Sequence, residues 1–146
     1  MKKLLTFIAF LLITAGIAAQ TAEDLVFIDD HNRDLELLKS RNAGKPNVFF
    51  SNVPQTPAVE EIGAALKSRE VRNLHIHVET KPGSMIFANM ALTLDTAHDY
   101  AEELSRWGRH VKGRVIVHSG VVFATHEGQA FQKKLEELTG LHFVMQ

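Results

Sequence analysis

The chain has 146 residues, 45% of them apolar, with Lys+Arg 16 set against Asp+Glu 17 and no cysteine. One ordinary globular domain fits that size and balance, and collagen-like, coiled-coil and low-complexity readings are excluded. A near-neutral chain without a Lys/Arg cluster offers no electrostatic footprint for nucleic acid or an anionic membrane, and without cysteine there is no disulfide framework and no thiolate.

Residues 1–19 read as a secretory signal: Lys2-Lys3, an apolar run from Leu4 to Ile13, then the small residues Ala15, Gly16, Ala18 and Ala19. That stretch is shorter than the roughly 20 residues a spanning helix needs, and a lipid anchor would require a cysteine. The expectation is therefore an exported chain, periplasmic or extracellular, with no integral membrane segment after cleavage. Lys2 and Lys3 are the only charges lost with the signal, so 14 basic groups then face 17 acidic ones, a net of −3. Residues 20–146 are expected to form a single α/β domain, long enough to bury its own core.

Within that domain, short apolar runs alternate with stretches of helical spacing, the pattern of a mostly parallel sheet of about five strands in a three-layer α/β/α sandwich. Leu25–Ile28 is the first strand. Residues 31–41 follow as an amphipathic helix through Leu35, Leu37 and Leu38, stopped by Gly44 and Pro46. Val48–Phe50 is the second strand, and Thr56-Pro57 predicts an N-cap and first helical position for a helix reaching about Arg69. In the third strand, Leu74–Val78, period-2 alternation puts His75 and His77 on one face. Met85–Phe87 and Met90–Leu94 predict a small β-hairpin turning at Ala88-Asn89, either core or an edge offered to a partner. Ala97, Tyr100, Ala101, Leu104 and Trp107 space a third helix that Gly108 would end. Val115–Val117, a helix over Glu127–Leu138 stopped by Gly140, and a last strand Leu141–Met145 complete the chain.

In an open parallel sheet, ligands gather at the carboxyl ends of the strands near the point where strand order reverses. That rule selects Asp29, Asp30 and His31 after the first strand, Glu79 and Thr80 after the third, and His118, Ser119 and Gly120 after the fourth as a ligand cleft. Asp29 and Asp30 can instead simply end the strand and cap the next helix, with the remaining residues as hydrogen-bonded loop groups. Ser119 could act as a nucleophile with His118 or His126 as base and Glu79 as orienter, although the Gly-x-Ser-x-Gly elbow is absent. His75, His77 and His118 are candidate metal ligands, with zinc the first expectation for imidazoles. No phosphate-loop pattern occurs, and no cofactor is implied.

The strings VFIDD at 26–30, LHIHVETKPG at 74–83, LTLDTAHDYAEELSRWG at 92–108, GQAF at 128–131 and LTG at 138–140 together resemble a secreted and surface-associated bacterial family, the domain of unknown function 4347, from about Leu25 to Met145. The resemblance implies a relative of the caspase-like cysteine peptidases, whose third strand leads to a catalytic His-Gly and whose fourth leads to a catalytic Cys. Carried over residue by residue, the histidine position falls on Glu79, the glycine after it on Thr80, and the cysteine position on Gly120. The expectation is a pseudoenzyme, non-catalytic, with a protein or peptide as partner. The alternative is a secreted hydrolase or metal-dependent enzyme using Glu79, His118 and Ser119.

Overall fold

The computed structural model describes residues 22–51 and 54–146, so the expected signal segment lies outside the described residues. Five strands, β1 (Glu23–Ile28), β2 (Val48–Phe50), β3 (Val71–His77), β7 (Arg114–Val117) and β8 (His142–Met145), pair in parallel in the order β2-β1-β3-β7-β8. The remaining three, β4 (Glu79–Lys81), β5 (Ser84–Ile86) and β6 (Ala91–Thr93), form a separate antiparallel sheet. The helices are α1 (Leu35–Asn42), α2 (Ala58–Leu66), α3 (Ala101–His110) and α4 (His126–Thr139), with a 3₁₀ turn at Ala97–Tyr100 leading into α3. This is the mixed α/β architecture, built on a five-stranded parallel sheet, that the sequence pattern predicts.

One face of the large sheet presents Leu25 and Phe27 from β1, Leu74 and Ile76 from β3, Val115 and Val117 from β7, and Phe143 from β8, all buried. They meet Val59, Ile62 and Leu66 of α2, Leu104 and Trp107 of α3, and Phe131 and Leu135 of α4 in one continuous core. Trp107 is fully buried, and its indole N–H donates to the Val59 carbonyl at 3.2 Å, so the one polar atom of the largest core residue is paired. The chain moves outward from β1 to β2 and then returns past β1 to β3. Right-handed crossovers therefore put α1 on the face opposite to α2, α3 and α4.

That second face is thinly covered. Its aligned rows are Val48, Val26, His75, Ile116 and Val144, then Phe50, Ile28 and His77. Ile28 and Ile116 are buried and the rest are half-buried. Helix α1 has no buried residue, and Leu37 is 49% exposed. The amphipathic helix expected over 31–41 fails because Leu35, Leu37 and Leu38 crowd into about one turn. An apolar stripe needs the i, i+3, i+4, i+7 repeat.

Three further expectations are corrected. Pro57, not Thr56, occupies the N-cap position of α2, with no side-chain cap bond. Helix α3 runs through Gly108 to His110, because Gly108 marks a helix contact: a Cβ there would lie 2.0 Å from the Thr139 carbonyl oxygen of α4. The small hairpin has a third strand, β4, joined to β5 through Pro82-Gly83, where Gly83 takes a φ of +75°. Glu-Thr-Lys carries no apolar alternation, so nothing in its composition announces a strand. Met85, Phe87 and Leu92 are buried in the main core, which decides the hairpin as core. Helix α4 is stopped by left-handed Gly140 as expected, and starts one residue earlier than expected, at His126, capped by Thr125, which accepts from Gly128 N–H.

Candidate functional site

The carboxyl ends of β1, β3 and β7 do bring most of the predicted cleft residues together. Asp29 is fully buried; its carboxylate accepts from His31 N–H at 3.0 Å and Ala88 N–H at 3.1 Å, while its own N–H donates to the His77 carbonyl. It is an Asx-type turn acceptor that also ties the small sheet to β1. Burial pushes the Asp29 carboxyl above its ordinary value, against the lowering effect of those two backbone bonds. Asp30 and His31 are exposed beside it. Glu79 reaches outward to Arg33, with N–O at 2.9 Å and the arginine side chain 83% exposed.

Ser119 is fully committed. Its hydroxyl oxygen accepts from Val121 and Val122 N–H, both at 3.1 Å, and lies 2.6 Å from Thr80 Oγ1. With both lone pairs taken, its proton is directed at Thr80. His118, the expected base, turns to other partners, and His126 sits exposed at the start of α4. Gly120 is exposed, with nothing within 4 Å of where a Cβ would stand.

The densest cluster lies on the open face of the sheet instead. His75 Nε2 is 3.1 Å from Asp24 Oδ2, and His75 Nδ1 is 3.0 Å from His118 Nε2. A carboxylate only accepts, so His75 carries its proton on Nε2. Its Nδ1 then accepts from His118 Nε2–H, and the remaining lone pair of His118 is on Nδ1. His77 lies flat on His118, with centroids 3.9 Å apart and planes 8° from parallel. Burial raises the Asp24 carboxyl, but hydrogen bonds from His75 and Arg72 outweigh it and leave the pKa below the ordinary value. Burial lowers His77 to about 4, with His118 and His75 adding repulsion; it lowers His118 as well, again with help from His75. His77 and His118 are therefore neutral at pH 7.

Sequence periodicity correctly puts His75 and His77 on one face and adds His118 from the neighbouring strand. It misses Asp24, which reaches them only through the pairing of β1 with β3. As metal ligands the three imidazoles are poorly directed. His75 and His118 meet nitrogen to nitrogen, with ring centroids 5.3 Å apart, and the in-plane lone pairs of two parallel rings do not converge. Among the described residues, no set of three or more His, Cys, Asp or Glu side chains is placed to hold a metal ion.

Fold and site together define a doubly wound α/β domain whose five parallel strands follow the order 2-1-3-4-5, with its switch point between β1 and β3. The chain belongs to the family described as "Domain of unknown function (DUF4347)", which matches residues 25–145. No curated protein and no solved structure matches it. Among the described residues no helix is long and apolar enough to cross a membrane.

Proposed function

We propose that this is an exported, caspase-like pseudo-peptidase: a single domain over residues 20–146 that binds a protein or peptide and performs no hydrolysis. The observation that carries the reading is the state of the three groups at the strand ends. Glu79, at the histidine position, is drawn outward by Arg33. Gly120, at the cysteine position, has no side chain. Ser119 beside it has its hydroxyl bonded to two backbone amides and Thr80. A nucleophile needs a base within hydrogen-bond reach, and the hydrogen bonds of the Ser119 hydroxyl go to none.

The test has two arms on the purified protein. Fluorogenic peptide mixtures and labelled casein should show no turnover above buffer; turnover abolished in Ser119→Ala or His118→Ala would establish the hydrolase reading instead. A phage-displayed random peptide library, panned against the folded protein and counter-selected on the heat-denatured one, should yield a consensus peptide whose affinity calorimetry can measure. No enrichment over an unrelated α/β domain would overturn the binding role.

A further inference from the structure

Three imidazoles and one carboxylate share the open face of the sheet, drawn from three different strands or strand ends: Asp24 on β1, His75 and His77 on β3, and His118 just past β7. The hydrogen-bond chain fixes how many protons this group can hold. With His75 donating to Asp24 and accepting from His118, one added proton fits: it sits on His118 Nδ1 and leaves both bonds intact. A second proton on the pair would set N–H against N–H across the 3.0 Å that now separates His75 Nδ1 and His118 Nε2. A second proton placed on His77 would put a charged ring flat on another at 3.9 Å. Like charges so close repel even when partly solvated.

We propose that Asp24, His75, His77 and His118 form an acid-sensitive latch, closed while the group holds at most one added proton and opened by the second, which parts the rings and frees the segment from His118 to Val122. That segment is where an opening would be felt. Its backbone is tied to β3 through His118 N–H and the Ile76 carbonyl, and its Ser119 and Val122 hold Thr80 and Gly83 of the small sheet. Other charged groups toward this face among the described residues include Arg72, which bonds Asp24 at 3.0 Å; Arg114 on β7; His142 on β8, which pairs with Glu136; Glu79 with Arg33 beyond the end of β3; and Glu36, Lys39 and Arg41 on α1, which covers the same face. The Asp24 carboxylate favours the first proton, and Arg72 on its other oxygen anchors it at the far end of the chain. Burial and mutual repulsion hold down proton uptake at His77 and His118, in keeping with a group that resists the second.

The measurement is a pH titration of the ¹⁵N-histidine-labelled protein by long-range imidazole NMR, with amide exchange of residues 118–122 followed alongside, from pH 7.5 to 4. The expected result at pH 7.5 is a proton on Nε2 of both His75 and His118. One proton should then be taken up at least tenfold more readily than the next, and amide protection at 118–122 should fall with the second. His118→Gln keeps a donor for His75 but cannot ionise, so its protection at these residues should become pH-independent. His77→Phe keeps a stacked ring that cannot ionise; because His77 is still neutral where His118 takes up the first proton, that uptake should stay in place, while one of the two sites for the second proton is lost and protection at 118–122 should persist to lower pH. Independent titration of all three rings near the ordinary histidine value would overturn the proposal. So would loss of protection in His118→Gln that follows the unaltered protein, with circular dichroism showing both folded at pH 7.5.

Discussion

Two glycines inside helices make opposite predictions from the same substitution. On helix propensity alone, Gly→Ala stabilises by about 1 kcal/mol at either site. At Gly108 the new Cβ would lie 2.0 Å from the Thr139 carbonyl oxygen and 3.2 Å from its carbon. These are backbone atoms of the neighbouring helix, so α3 and α4 must separate by about 1 Å or more, which places the cost near the upper end of the usual 1–3 kcal/mol for overpacking, about 3. The net effect of Gly108→Ala is a loss of about 2 kcal/mol, or roughly 8 °C in Tm at about 4 °C per kcal/mol for a chain of this length. At Gly63 the Cβ would meet only Trp107 Nε1 at 4.0 Å, an ordinary contact, so Gly63→Ala keeps most of its gain and raises Tm by roughly 3 °C. Urea and thermal melts followed by Trp107 fluorescence and far-UV circular dichroism read both. A Gly108→Ala protein as stable as the parent would refute the α3–α4 packing described above, because nothing else at that position opposes the propensity gain.

Other perturbations follow from single contacts. Thr125→Ala removes the oxygen that accepts Gly128 N–H at 3.0 Å and should cost about 1 kcal/mol in urea unfolding, with Thr125→Ser restoring most of it. Ser119→Ala strands two backbone N–H groups and should lower stability by about 1–2 kcal/mol; unchanged stability would mean those bonds are not formed in solution. Asp29→Asn should also destabilise at pH 7, since an amide can accept only one of the two backbone N–H bonds well. Its pH dependence has a definite sign. Because burial holds the Asp29 carboxyl above 3.8, its stabilising contribution is fully present below the unfolded value and is lost as pH rises through the folded one. The stability difference between parent and Asp29→Asn should therefore grow in the parent's favour as pH is lowered toward 4, and a constant difference would contradict the raised value.

The parallel strands were legible because burial on both faces leaves unbroken apolar runs such as Val26-Phe27-Ile28 and Val115-Ile116-Val117. The Gly140 boundary of α4 was legible because a left-handed glycine stop is local chemistry, whereas the Thr125 cap at its start was not read from the sequence. What escaped was whatever depends on the approach of distant segments. Gly108 reads as a stop until Thr139 is seen beside it. Strand β4 exists only because β5 pairs with it. The imidazole cluster was half visible: alternation aligned His75 with His77, but Asp24 lies 51 residues from His75 in the chain, and no local pattern links them. Ser119 looked available because a sequence cannot show that Val121, Val122 and Thr80 consume its hydroxyl.

The small antiparallel sheet has an architectural consequence. Ala88 N–H donates to Asp29 at the end of β1, Gly83 N–H donates to the Val122 carbonyl, Thr80 bonds Ser119 past the end of β7, and Asn89 bonds the Thr56 carbonyl ahead of α2. These anchors sit around the strand ends where sheets of this winding ordinarily admit a small molecule. Residues 79–93 thus close over the strand ends, and the thinly covered face under α1 is left as the more open side of the large sheet.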